Sequence, residues 1–531
     1  MTAESSRPRT DVDKALLGHA TYRSLGEQQL SPAEERFEKG RRTVGLFLAP
    51  LVTIVFLVLP MGLEPQQQNL AAVLLGVIVL WVTEAVPIPI GGLIGVAVSV
   101  FLQVEPADDV LANFGSSTVF TFIGAFILAQ AMLKHGLARR FAFRVLSLPG
   151  VARSSYRVII AFGAIAASIS AFISNTATAA MLLPIGLGMM GALGGLVSQQ
   201  SDTDRDPSRL RFGTALMLMI AYGASVGGLI TPIGSPPNLI GIGFIEDETG
   251  TTISFFEWTI TALPIVILMF LALCVILILL NRPEVRRISG ADEYVAEERR
   301  NLGGISAGER NTIIAFAVAV TLWILPGIVN LILGDTSAPA TFLRTHLNEG
   351  VVAIVAAALL FLLPTNWAER RFTLTWNEAV RIDWGTILLF GAGITLGKLL
   401  SDTGLAKTIG GGVTNALGIT SLLGITLIAT VVAILISETT SNTASVGIVV
   451  PIIIPIANAA GVEPLIPALA AIFGASYGFM LPVSTPPNAI VYGSGMIPIT
   501  KMVRSGVFFD IIGAVLIVAG VTIMVQLLGL A

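Results

Sequence analysis

Two polar triplets interrupt a very apolar chain: Ser174-Asn175-Thr176 and Ser441-Asn442-Thr443. Each offers two hydroxyls and one amide, all neutral and able to donate or accept. Downstream of each lies a stretch broken by paired prolines, Gly234-Ser235-Pro236-Pro237-Asn238 and Ser484-Thr485-Pro486-Pro487-Asn488. Two prolines remove two N–H donors and interrupt a helix. Carbonyls are thereby freed just upstream, at Ile233-Gly234 and Val483-Ser484. Hydroxyl, amide and carbonyl oxygens suit a hard monovalent cation such as Na⁺. A helix N-terminus starting at such a tip adds free N–H groups and a positive dipole end, which suit a carboxylate. Two copies facing each other suit a ligand with two anionic groups. No Lys or Arg lies in either triplet segment or broken stretch. Neutralising an anion there falls to protein dipoles and co-bound cations, and each ion then favours the other. A lone triplet would read as ordinary helix packing; a pair, each followed by the same break, does not.

The elements that position these residues follow from composition. Of 531 residues, 54% are hydrophobic and 12% charged, against roughly 25% charged in an average soluble domain. Mean hydropathy is +0.83. A soluble enzyme, a nucleic-acid binder and a disordered scaffold are excluded, and continuous apolar runs exclude a porin-like barrel. The fold class is an all-α polytopic membrane protein. Residues 1–42 form a polar N-terminal segment with no signal-peptide pattern. Residues 43–62 are the first transmembrane helix. The runs 158–195 and 421–458 are overlong, each with a triplet near its middle, and read as re-entrant hairpins that enter and return. Irregular backbone at such tips is tolerated only where protein or a water-filled cavity satisfies it. Eleven transmembrane helices remain. Alternating sides from a cytoplasmic N-terminus puts all of the 31 Lys/Arg inside except Arg344, Lys398 and Lys407, as the positive-inside rule requires. The inside groups include Arg205, Arg209 and Arg211, Arg286 and Arg287, and Arg370 and Arg371. The C-terminus is then outside.

The chain also contains itself twice. Gly124-Ala125 through Lys134-His135-Gly136-Leu137-Ala138-Arg139 resembles Gly391-Ala392 through Asp402-Thr403-Gly404-Leu405-Ala406-Lys407, and a triplet and a PPN break follow each in the same order. Residues 69–300 and 309–531 form the two units. Five spans plus a hairpin per unit is an odd number, so the second copy enters from the opposite side. This is the inverted-topology repeat typical of secondary transporters. Both tips would meet near the bilayer midplane.

Other ionisable residues are sparse. Glu84, in WVTEAVPIPI, is a candidate for support or proton linkage, or an interfacial helix-end residue. Glu438, in the second hairpin, reads as a prop for that hairpin more than as a proton carrier. Cys274 lies in an apolar run and reads as a small hydrophobe. His19, His135 and His346 lie outside the centres of the spans, so neither a zinc centre nor a Ser–His pair is available and the chain is not expected to be an enzyme.

The paired triplets, the SPPN and TPPN breaks and WVTEAVPIPI together resemble the divalent anion/sodium symporter (DASS) family, whose members carry dicarboxylates, citrate or sulfate. The resemblance runs over nearly the whole chain after the first 40 residues. It implies a homodimer in the lipid bilayer, working as an elevator-type transporter in which a domain of hairpins and broken spans slides against a scaffold. By carry-over, Na⁺ is the coupling ion. A first site would use Ser170, Ser174, Asn175 and the Gly234 carbonyl. A second would use Ser437, Asn442 and the carbonyls of Thr440 and Ser484. The substrate would contact Ser174, Asn175 and Thr176 on one side and Ser441, Asn442 and Thr443 on the other, with Ser235, Pro236, Thr485 and Pro486 nearby. The expectation is Na⁺-coupled symport of a C4-dicarboxylate across a bacterial-type plasma membrane, without nucleic-acid partners. A sodium-independent exchanger and a sulfate or tricarboxylate carrier of the same fold stay open.

Overall fold

The computed structural model describes residues 32–200, 210–286, 288, 290–334, 336–417 and 421–530. Most of the N-terminal segment, with His19, and Arg205, Arg209 and Arg287 lie outside the described residues. In chain order the helices are α1 Pro32–Val58, α2 Pro65–Thr83, α3 Ile88–Phe101, α4 Ala107–Ala112, α5 Ser117–Lys134, α6 Leu137–Leu146, α7 Ser155–Ser170 and α8 Asn175–Gln200. There follow α9 Arg211–Gly227, α10 Pro236–Thr249, α11 Phe255–Leu280, α12 Ala291–Leu302, α13 Ala307–Leu333, α14 Ala338–His346 and α15 Glu349–Leu362. A small hairpin of β1 Pro364–Asn366 and β2 Arg371–Phe372 leads to α16 Trp376–Ala379, α17 Trp384–Asp402, α18 Leu405–Leu417, α19 Leu422–Thr439, α20 Asn442–Ala459, α21 Leu465–Ala475, α22 Pro486–Tyr492 and α23 Ile499–Leu528.

Boundaries follow local chemistry. Ser254 and Ser306 open α11 and α13 with capping boxes closed by Glu257 and Glu309. Gly136 and Gly404, at φ +68° and +71°, make the left-handed turns between α5 and α6 and between α17 and α18, a conformation open to glycine at little cost. Both triplet segments fold as helical hairpins. In one, α7 and α8 meet at Ala171–Ser174; in the other, α19 and α20 meet at Thr440–Ser441.

Packing repeats as the sequence does. Helix α5 lies on α15 as α17 lies on α3; α7 lies on α9 as α19 lies on α21. The approaches are close: a Cβ on Gly124 would lie 2.5 Å from the Ala353 backbone, and one on Gly92 would lie 2.9 Å from Ala392 Cβ. Small residues let helices meet this way where lipid removes the hydrophobic drive. The halves also interlock. Helix α10 of the first lies on α20 and α21 of the second, and α22 of the second lies on α8 and α9 of the first.

Among the described residues, nine helices are long and apolar enough to cross a membrane, or ten if the bent pair Ala338–His346 and Glu349–Leu362 is one span. The eleven spans expected from the sequence divide differently. The stretch 87–103 yields a helix of only 14 residues, and 212–245 and 464–495 are each two short helices around an unwound break. Both arms of the second hairpin are themselves long enough to span. Hydropathy sums over a window and does not register where the backbone leaves the helix.

Glu84 is a helix-end residue. It caps α2 in the left-handed region at φ 46° and pairs with Arg41 at 3.5 Å and Arg42 at 3.9 Å. Cys274 is buried, and His135 and His346 bond the backbone carbonyls of Thr373 and Phe342. Beside His135, Lys134 reaches Glu378 at 2.7 Å. Burial raises the Glu378 carboxyl, but the hydrogen bonds from Lys134 and Thr375 and the Lys134 charge together hold the group below its usual range.

Arg140 ties the segment between the two units to the first. Its Nε and Nη2 donate to both oxygens of Glu309, at 2.5 and 3.1 Å, and it also bonds the carbonyls of Leu302, Gly303 and Gly304, each at 2.9 Å. Glu309 is almost fully buried, so loss of its partner strands a charge. Arg140→Ala is expected to cost about 2–3 kcal/mol, read as a lower thermal unfolding midpoint of the purified protein. Arg140→Lys should recover little of it, because an ammonium cannot make the forked contact.

Candidate functional site

The two hairpin tips are built alike. Ser174 Oγ accepts from Ala177 N at 3.3 Å and caps α8; Ser441 Oγ accepts from Ala444 N at 3.2 Å and caps α20. One turn back, Ser170 Oγ donates to Asn175 Oδ1 at 2.6 Å, and Ser437 Oγ lies 2.8 Å from Asn442 Oδ1. Ser170 and Ser437 are fully buried, whereas all six triplet residues are half-buried. Each tip thus presents a hydroxyl, an amide oxygen and a helix N-terminus from a rigid turn.

The breaks bring carbonyls to these tips. In the first half, α9 ends at Gly227 and α10 restarts at Pro236. A Cβ on Gly234 would lie 2.6 Å from the Gly228 carbonyl oxygen, 2.9 Å from that of Ser170 and 3.0 Å from that of Ala171. One on Gly228 would lie 2.4 Å from Asn175 Oδ1. Ser170, Asn175, Gly228 and Gly234 therefore share a cradle lined with oxygen. In the second half, a Cβ on Gly478 would meet the Ser437 carbonyl, the Ser437 hydroxyl and Ser484 Cβ, each at 3.2 Å. Ser437 Oγ has one proton yet two acceptors in range, Asn442 Oδ1 and the Ala475 carbonyl at 2.7 Å. Both cradles are rich in acceptors and poor in donors, the character of a cation site with oxygen ligands.

Asn238 and Asn488 hold the breaks open. Asn238 Nδ2 donates to the carbonyls of Gly228 at 2.7 Å and Thr231 at 2.9 Å; Asn488 Nδ2 donates to those of Gly478 at 2.8 Å and Leu481 at 3.0 Å. Both side chains are fully buried, and the Oδ1 of each has no donor. The freed carbonyls that find partners thus lie further upstream than the Ile233-Gly234 and Val483-Ser484 positions that the prolines indicate. A restarting helix turns its third residue back into the unwound segment, and Asn238 and Asn488 occupy that position.

The remaining expected residues fall close by. Ser235, Ser484 and Thr485 are buried, Pro236 is half-buried and Pro486 exposed. Thr485 Oγ1 accepts from Asn488 N at 3.4 Å. Thr440, at the end of α19, has extended backbone angles that turn it out of the helix. Among the described residues no hydrogen bond or ion pair joins the two tips. Glu438 distinguishes the halves: its Oε1 accepts from Phe479 N at 2.5 Å and Met480 N at 2.8 Å, and its Oε2 from Ser484 Oγ at 2.7 Å. From its place in the second hairpin it reaches across to the second break, whereas the sequence suggested a prop for the hairpin itself.

Sequence reasoning did not single out Asn238, Asn488, Gly228 or Gly478. The two asparagines carried a signal, since each ends a repeated PPN, but their hydrogen bonds exist only in the fold.

Residues 42–530 match the family model described as the sodium:sulfate symporter transmembrane region. The chain belongs to that family. It is 33% identical over 486 residues to the sodium-dependent dicarboxylate transporter SdcS of Staphylococcus saprophyticus, covering 91% of each chain. It is 31% identical over 492 residues to SdcS of Staphylococcus aureus, covering 92% of each. Among solved structures, the YdaH transporter of Alcanivorax borkumensis superposes with a TM-score of 0.51 over 79% of this chain and 87% of that one, at 12% identity, a likeness of fold alone. The chain thus joins a membrane-transport family, and its two oxygen-lined cradles are formed by Ser170, Asn175 and the carbonyls around Gly234 in one half and by Ser437, Asn442 and Ser484 in the other.

Asn238→Asp and Asn488→Asp keep size and remove the Nδ2 donors. Each is expected to destabilise the purified protein by about 2 kcal/mol, with similar losses from the two sites because their bonds are equivalent. Thermal unfolding in detergent measures both.

Proposed function

We propose that this chain is a secondary active transporter that carries a C4-dicarboxylate, such as succinate, malate or fumarate, by symport with Na⁺. The observation that carries the reading is the duplicated site, in which an acceptor-rich cradle lies beside a neutral Ser-Asn-Thr helix start in each half. One Na⁺ would take Ser170, Ser174, Asn175 and the Gly234 carbonyl. A second would take Ser437, Asn442 and the carbonyls of Thr440 and Ser484. The carboxylates would rest on Ser174, Asn175 and Thr176 and on Ser441, Asn442 and Thr443, with Ser235, Pro236, Thr485 and Pro486 at the edge. The sodium-dependent dicarboxylate transporters among the relatives support this choice of ion and substrate.

The tips hold no fixed cation, so a dianion arriving alone meets only dipoles. Sodium ions bound beside the triplets offset its charge in a low-dielectric site. That links the two bindings, and linkage is what coupling requires. We place the protein in a bacterial plasma membrane as a homodimer, N-terminus cytoplasmic and C-terminus outside, with the two hairpins re-entrant and the hairpin-bearing domain moving as an elevator between the two faces. The interlocked packing of α10 and α22 with the opposite halves supports such a domain moving as one body.

Reconstituted into proteoliposomes, the protein is expected to take up labelled succinate under an inward Na⁺ gradient and not when choline replaces Na⁺. Equal uptake in choline would sink the coupling and identify a sodium-independent exchanger. Asn442→Ala should abolish uptake while leaving a folded dimer on size-exclusion chromatography; wild-type rates in that variant would remove the proposed site.

A further inference from the structure

A cavity of about 670 Å³ opens between the turn joining α6 to α7 and helix α12, within the size range of ligand pockets. None of the residues assigned to the cradles or the hairpin tips lines it. Its floor is apolar: Leu146, Ala152 and Val295 are buried there, and Leu148 and Pro149 stand exposed at its side. Its charge is uneven. Arg153, Arg299 and Arg300 line it against a single acid, Asp292. Arg153 pairs with Asp292 and so bridges the two walls. Arg299 Nη1 donates to Ser147 Oγ at 3.2 Å, which leaves most of its five donors unused. Among the described residues the Arg300 side chain has no hydrogen bond or ion pair. The walls themselves are fixed. Ser155 Oγ donates to the Val285 carbonyl at 2.6 Å, and Ile288 N to the Arg153 carbonyl at 3.1 Å. Arg139 Nη2 holds Glu298 at 2.6 Å, and Phe143 of α6 meets Tyr294 of α12 edge-on at 6.2 Å.

Guanidinium groups with spare donors fit phosphate oxygens, which they bind in forked pairs. Positive charges gathered in one place repel until an anion lies among them. A free phosphate uses the arginines alone and leaves the apolar floor against water. A phospholipid uses both, with its phosphate on the arginines and its glycerol and first acyl carbons on the apolar floor and side. The surroundings fit a membrane boundary. The apolar helix α7 begins at Ser155, two residues after Arg153, and Phe141 and Leu148 are 38% and 54% exposed. Basic pockets at the ends of membrane helices are where anionic lipid headgroups settle. We infer that this cavity binds the phosphate headgroup of an anionic phospholipid, with Arg299 and Arg300 as its principal contacts. Bound there, the lipid bridges the α6–α7 turn and α12 and stabilises both.

The full-length protein, purified in detergent, tests this without reference to transport. Dioleoylphosphatidylglycerol should raise its unfolding temperature saturably. Dioleoylphosphatidylcholine, with the same chains and no net charge, should not. Arg299→Gln and Arg300→Gln together should raise the half-saturating phosphatidylglycerol concentration roughly tenfold. Both side chains are exposed, so folding should survive. Ala296→Glu puts a carboxylate on the same exposed wall; it should weaken binding likewise, and it decides the matter if the double variant does not fold. Arg370→Gln and Arg371→Gln together remove equal charge from the exposed β1–β2 hairpin and should stay within about twofold of wild type. No response to phosphatidylglycerol, an equal response to phosphatidylcholine, an equal loss in the hairpin control, or an unchanged half-saturation in a folded cavity variant overturns the inference. Inorganic phosphate that raises the unfolding temperature at the same concentrations as phosphatidylglycerol also overturns it, and assigns the cavity to a soluble anion.

Discussion

Asn238 and Asn488 each place a buried amide inside an interrupted helix and donate to two of the carbonyls that the interruption releases. Unwound backbone at membrane depth has no water to turn to, and each unpaired carbonyl costs several kcal/mol. Without these bonds, α9 and α10, and likewise α21 and α22, would have no stable way to stop and restart. The glycines that approach the hairpin tips, Gly228 and Gly234 in one half and Gly478 in the other, are held where they are by that arrangement. The candidate site is therefore a consequence of how two breaks are satisfied.

The same constraint accounts for the interlocking of the halves. A half-helix such as α22, seven residues long, has too few internal hydrogen bonds and too little surface to be stable alone. It lies on α8 and α9 of the other unit, and α10 lies on α20 and α21. Each unit's irregular segment is thus supported by the other's regular helices. The rigidity of the tips depends on both copies being present, which gives a physical reason for the duplication to persist beyond symmetry itself.

The halves are not identical, and their difference is electrostatic. Around Gly234 the cradle is made of neutral oxygens alone. Around Ser484 there is also Glu438, which accepts from the Ser484 hydroxyl. A carboxyl group beside one cradle and not the other makes the two cradles chemically unequal.

Much of this was legible in the sequence. The scarcity of charge and the continuous apolar runs require a lipid-embedded helical protein, because lipid penalises every charge along a span. The repeated triplets and PPN breaks located both hairpin turns and both interruptions, since proline and small polar residues act through local backbone chemistry. The lengths of the individual helices did not follow, because hydropathy does not register where a run leaves the helix. Nor did the partners of Asn238 and Asn488. Those depend on which helices lie side by side. What the sequence by itself determined is where the backbone breaks and what chemistry stands there. Which oxygens converge only the tertiary structure decided, because hydrogen bonding depends on distances that the order of residues does not contain.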